Sequence, residues 1–128
     1  MKKSQERLVV EALERIFGRN IKAIISDGVI VQWGEIDPEP SAEKIKQTVQ
    51  TILDEYPMQL LREERDKRIA MSDWRLTNDY PHGDQEEWKI YRQILRDVPL
   101  QIENGTLPEP EISDEGELIW NYWPSEPN

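Results

Sequence analysis

The stretch RLTNDYPHGD, from Arg75 to Asp84, stands between two charged segments of helical period, LLREERDKRIAMSDW and QEEWKIYRQILRDV. Proline has no amide to donate, and Asn, Asp and Gly accept turn geometries, so no helix is expected to run through it. Beyond the turn, Trp88, Tyr91, Leu95 and Val98 recur at spacings of three and four and mark one buried face. Before it, Leu61, Arg65, Arg68, Ile69 and Ser72 mark the facing side. Asp84 with Glu87 three residues on forms a capping-box-like start. Two helices joined this closely must lie side by side, so the segment predicts a helical hairpin, with Trp74 closing its mouth. Trp74, Trp88, Tyr91 and Leu95 are its expected core.

Upstream, Leu8, Val9, Ala12, Leu13, Ile16 and Phe17 recur at helical spacing and Gly18 follows where a C-cap glycine belongs, which predicts a helix over 5–17. IKAIISDGVIVQW comes next. Its two β-branched runs meet at Asp27-Gly28, a pair that supplies the positive φ angles of a tight hairpin turn. GEIDPEPS reads as a loop, Ser41 as the N-cap of a further helix, and Glu43 as an acid favoured in the first turn. Pro57 is expected to end that helix near Tyr56, with a separate helix restarting at Gln59.

The charge is divided unevenly. Residues 1–56 carry eight Lys/Arg against ten Asp/Glu, residues 57–98 eight against nine, and residues 99–128 none against seven. That last segment is rich in Pro and Gly until the apolar burst Leu118, Ile119, Trp120, Tyr122, Trp123, and reads as an extended acidic tail whose end folds back or binds. A net charge of −10 opposes non-specific nucleic-acid binding, which needs a basic stripe. With no cysteine there is neither a disulfide framework nor a thiolate metal site. No apolar run approaches the roughly 20 residues of a membrane helix, and the Met1-Lys2-Lys3 start leads into a polar amphipathic segment; a cytoplasmic product is expected.

Candidate chemistry is sparse. His82 sits in a Pro-His-Gly turn near Asp79 and Asp84, but no second histidine, nucleophile motif or glycine-rich phosphate loop accompanies it. Glu63, Glu64 and Asp66 share their helix with Arg62, Arg65, Lys67 and Arg68, a mixture that reads as a solvated face of weak pairs, not a two-carboxylate site. Arg92 and Arg96 beside Trp88 and Tyr91 are a stacking pattern, yet in an acidic chain they read as core plus ion pairs to Asp73 or the acids of the preceding helix. No enzyme, cofactor, metal or small-molecule substrate is expected. Trp33, at a strand end, and the Trp120–Trp123 cluster, in a tail, are placed either to anchor a partner or to dock on the chain itself.

RDKRIAMSDW, a turn, EEWKIYRQILRDVP and a closing WPSEP together resemble the C-terminal module of bacteriophage tail assembly chaperones, a group that includes tail-fibre assembly proteins. The matching positions are Arg65, Arg68, Asp73, Trp74, Trp88, Tyr91, Arg92, Leu95, Arg96, Asp97, Pro99, Trp123, Pro124 and Pro127. The resemblance implies an assembly role without a catalytic residue: a chaperone that binds and solubilises the distal, C-terminal part of a trimeric tail fibre, or another tail protein, in the host cytoplasm. The alternative is a structural baseplate or fibre-tip subunit retained in the virion.

The expected architecture is α+β: an N-terminal helix, β-hairpin and helix over 1–56, a helical-hairpin module over 57–99, and the acidic tail over 100–128. Expected partner contacts are Ile30, Val31 and Trp33 on the β-hairpin, where a fibre strand edge would pair, and Trp120, Tyr122 and Trp123 in the tail.

Overall fold

The computed structural model describes residues 4–127; the Met1-Lys2-Lys3 start lies outside them. Among the described residues the fold is α+β, three helices with two small antiparallel strand pairs. Two compact units divide it: Met1–Tyr56 with Asp114–Glu117, and Pro57–Ser113 with Leu118–Asn128.

In the first unit α1 spans Gln5–Phe17. Ser4 caps its start, its hydroxyl accepting from the Arg7 amide at 3.2 Å. Gly18 ends it with φ 72°, donating to the Glu14 carbonyl at 2.7 Å. Strands β1 (Ala23–Ser26) and β2 (Val29–Trp33) follow as the expected hairpin. Asp27 and Gly28 both have positive φ, 52° and 78°, as a two-residue turn of type I′ requires. A Cβ at Gly28 would also stand 3.3 Å from Cβ of Gln5, closer than ordinary van der Waals contact.

The hairpin register breaks between Ile24 and Ile25, which face Gln32 and Ile30, so Val31 is the extra residue of a β-bulge. Strict alternation from Val29 would have turned Trp33 outward. With the bulge, Gln32 is exposed and Trp33 half-buried. The unit's core is Leu8, Ala12 and Ile52, with Ile45 and Val49 packed against it.

Helix α2 runs without a break from Ala42 to Met71, with Pro57 inside it. This corrects the expectation of a helix ending near Tyr56. A proline costs an interior helix about 3 kcal/mol relative to alanine. Here apolar periodicity continues on both sides, through Ile52 before it and Met58 and Leu61 after it, and the packing outweighs one lost backbone bond. The Ser41 cap is formed, its Oγ accepting from the Lys44 amide at 3.1 Å.

After a 3₁₀ turn, Asp73–Leu76, helix α3 spans Gln85–Glu103 and carries Pro99 within it. Its end was expected at Val98. The stop signal lies instead at Asn104-Gly105, where Gly105 takes φ 83° and the Thr106 amide donates back to the Gln101 carbonyl at 2.8 Å. Asp84 stands at the N-cap without the expected side-chain cap bond. Beyond α3, strands β3 (Glu111–Ile112) and β4 (Leu118–Ile119) pair antiparallel. The tail is therefore partly structured. No described helix is long and apolar enough to cross a membrane.

Candidate partner-binding surfaces

The helical hairpin is held by two apolar clusters. Trp88, Tyr91 and Leu95 form one, with Ile69, Leu76 and Trp123 against them; Leu61, Val98, Ile102 and Trp120 form the other, joined by Met58, Leu107, Leu118 and again Trp123. Trp123 touches both. Trp120 is 6% exposed, and its Nε1 donates to the Pro108 carbonyl at 2.8 Å, so this ring docks on the chain itself. Tyr122, between the two tryptophans, stays 58% exposed.

At the mouth of the hairpin a single guanidinium organises the turn. Arg92 Nη1 donates to the Ile69 carbonyl at 3.1 Å, to Ser72 Oγ at 3.0 Å and to the Asp73 carboxylate at 2.5 Å. Ser72 is buried and itself donates to the Ile69 carbonyl at 2.7 Å, which closes the end of α2. The Arg92–Asp73 pair foreseen from sequence is thus formed.

Trp74 is about half exposed, at 48%, rather than enclosed with Trp88, Tyr91 and Leu95. The Arg75 guanidinium lies 4.5 Å from the ring centroids of both Trp74 and Trp88 and donates to the Tyr80 hydroxyl at 3.0 Å. Sequence periodicity did not reveal this stack, because Arg75 falls in the turn. His82 is exposed, its ring 5.2 Å from that of Tyr80. The Tyr80 hydroxyl and then Trp88 Nε1, 3.1 Å away, hold the Asp84 carboxyl below its ordinary range, against burial that raises it. Among the described residues no group of three His, Cys, Asp or Glu side chains is placed to hold a metal ion.

In the first unit the β-hairpin presents two different faces. Ile25 and Ile30 oppose each other on the half-buried side, together with Ala23 and Trp33. Trp33 is engaged within its own unit: Nε1 donates to the Asp37 carbonyl at 2.8 Å, and the ring centroid lies 5.8 Å from that of Phe17. Ile24, Val29 and Val31 stand on the other side, 55%, 62% and 60% exposed. Of the expected contact residues, the structure leaves Val31 and Tyr122 open. Ile24 and Val29 are equally open, and period-two alternation in the two runs could have singled them out.

Around the strand ends the charges are paired. Arg19 reaches Glu35 at 2.6 Å and Asp37 at 2.9 Å. The Lys22 amide donates to Glu35 at 2.8 Å and, ahead of Arg19, lowers its carboxyl from the ordinary range. These groups brace the hairpin's open end and offer no free nucleophile or acid–base pair.

No curated protein and no solved structure matches the chain. Residues 58–128, more than half of the chain, match the family model described as phage tail assembly chaperone protein. They take in the whole set of Trp88, Arg92, Trp120 and Trp123 contacts laid out above, and the chain belongs to the phage tail assembly chaperone family.

Proposed function

We propose that this chain is a tail-fibre assembly chaperone, which binds the distal, C-terminal part of a fibre during assembly in the host, keeps it soluble and catalyses no reaction. Family membership supports the assembly role. The observation that carries the contact surface is the outer face of the β-hairpin, where Ile24, Val29 and Val31 remain exposed on a sheet of only two strands. Apolar side chains beside unpaired strand edges suit a partner that is itself rich in exposed strands. Tyr122 supplies a second contact on the helical-hairpin unit, its ring 5.7 Å from that of the buried Trp120. The net charge of −10 keeps a complex with an apolar fibre end in solution.

Mass spectrometry of purified particles tests the reading. A chaperone of assembly is expected far below the fibre in copy number. Equal copy number would make the chain a structural subunit instead.

A further inference from the structure

A groove of about 410 Å³ runs beside β2 in the first unit. Val29 and Ile30 form one wall, Ala42, Ile45 and Val49 of α2 the other, and Val9 of α1 contributes from below. No residue of β1 lines it, so it lies on the side of β2 away from its partner strand.

The hairpin turn fixes which backbone groups face that groove. A two-residue type I′ turn at Asp27-Gly28 makes Ser26 and Val29, its flanking pair, the hydrogen-bonded one. The next pair, Ile25 and Ile30, then points its amides and carbonyls outward. For Ile30 outward means away from β1, into the groove. A strand edge facing a helix across an apolar trough is the arrangement in which an extended peptide adds to a sheet, its backbone on the edge and alternate side chains against the helix.

Charge narrows the occupant. Glu39 lines the groove, and Asp27 stands at its turn end with its amide donating to the Glu6 carboxylate at 2.8 Å. Within the lining Lys46 balances Glu39, so the acidic bias comes from Asp27 and Glu6 at the turn end. We propose that this groove receives an extended apolar segment of the bound tail protein, flanked by lysine or arginine, as a third strand paired to β2 at Ile30. The inference rests on the chaperone reading and names the form in which the partner is held.

The test titrates the isotope-labelled full chain with a short probe peptide of alternating valine and threonine between lysine pairs. The Ile30 amide resonance is expected to move, and its exchange with solvent to slow by about tenfold or more. Two variants should each weaken the probe by about tenfold or more. Ala42→Trp fills the groove from an exposed helix position, and Ile30→Pro removes the outward amide without taking a bond from the ladder. Unchanged melting of either variant establishes that it is folded. No binding, or resonance changes confined to Ile24 and Val31, would overturn the strand-addition proposal. A second arm separates it from the function itself. If a folded Ala42→Trp chain solubilises the fibre end as well as the parent, the groove proposal alone fails; if the parent forms no complex with the fibre end, the chaperone reading fails.

Discussion

The Arg68 guanidinium lies 4.6 Å over the ring of Trp123 and is paired with Glu64 at 3.1 Å. This pins the C-terminal segment to α2, and the same ring joins the two apolar clusters of the helical hairpin. Trp123→Ala should therefore cost about 2–4 kcal/mol in unfolding free energy, less than a fully enclosed ring because part of it meets solvent. Urea midpoints measure this directly. A loss under about 0.5 kcal/mol would mean that the segment lies on the surface without securing it.

Trp88 is 4% exposed, with its ring 5.4 Å from Tyr91 and polar contacts to Arg75 and Asp84 besides its apolar cluster. Trp88→Ala is expected to destabilise the chain by about 3–5 kcal/mol. If the loss were below about 1 kcal/mol and fibre binding vanished, Trp88 would be a contact residue and not core.

Replacing Arg92 leaves three acceptors at the end of α2 without their common donor. Arg92→Ala should cost about 2–3 kcal/mol, since bonds to a charged donor exceed neutral ones. Arg92→Lys should recover only part, because a compact ammonium cannot reproduce the planar fork. Full recovery by lysine in denaturant titrations would reduce the role of Arg92 to charge alone.

Asp84 has its folded-state pKa lowered by the Tyr80 hydroxyl and Trp88 Nε1. A lowered carboxyl contributes stability that is present above its unfolded value, about 3.9, and is lost as pH falls through the folded value. The parent should therefore lose more stability than Asp84→Asn when taken from neutral pH to about pH 3. Parallel slopes for the two proteins in urea midpoint against pH would contradict the assignment.

The outer hairpin face makes the opposite kind of prediction. Ile24→Ser with Val31→Ser should change stability by no more than about 1 kcal/mol, because both side chains are already mostly exposed. Affinity for the fibre end should fall by about tenfold or more. An unchanged dissociation constant would remove this face from the contact surface.

Much of this organisation was legible in residue spacing. Gly18, Asp27-Gly28 and Ser41 mark boundaries through local backbone chemistry, and each acts as such in the structure. Pro57 and Pro99 misled for a related reason: a proline's penalty is local, whereas the packing that overrides it comes from side chains distant in sequence. The Gly105 stop was present in ENGT but masked by Pro99 before it. Trp33 and Trp120 show the limit for sites. Composition marks both as suited to interfaces, but the Val31 bulge turns the first inward and the Pro108 carbonyl fixes the second, and neither relationship has a sequence period.

Co-expression with the C-terminal segment of the tail fibre, read by soluble fibre yield and the native mass of any complex, tests the central claim most directly. A soluble trimeric fibre end that appears only with this chain, at a mass including it, is the predicted result. Equal fibre solubility without the chain, and no complex in the native spectrum, would contradict the chaperone account.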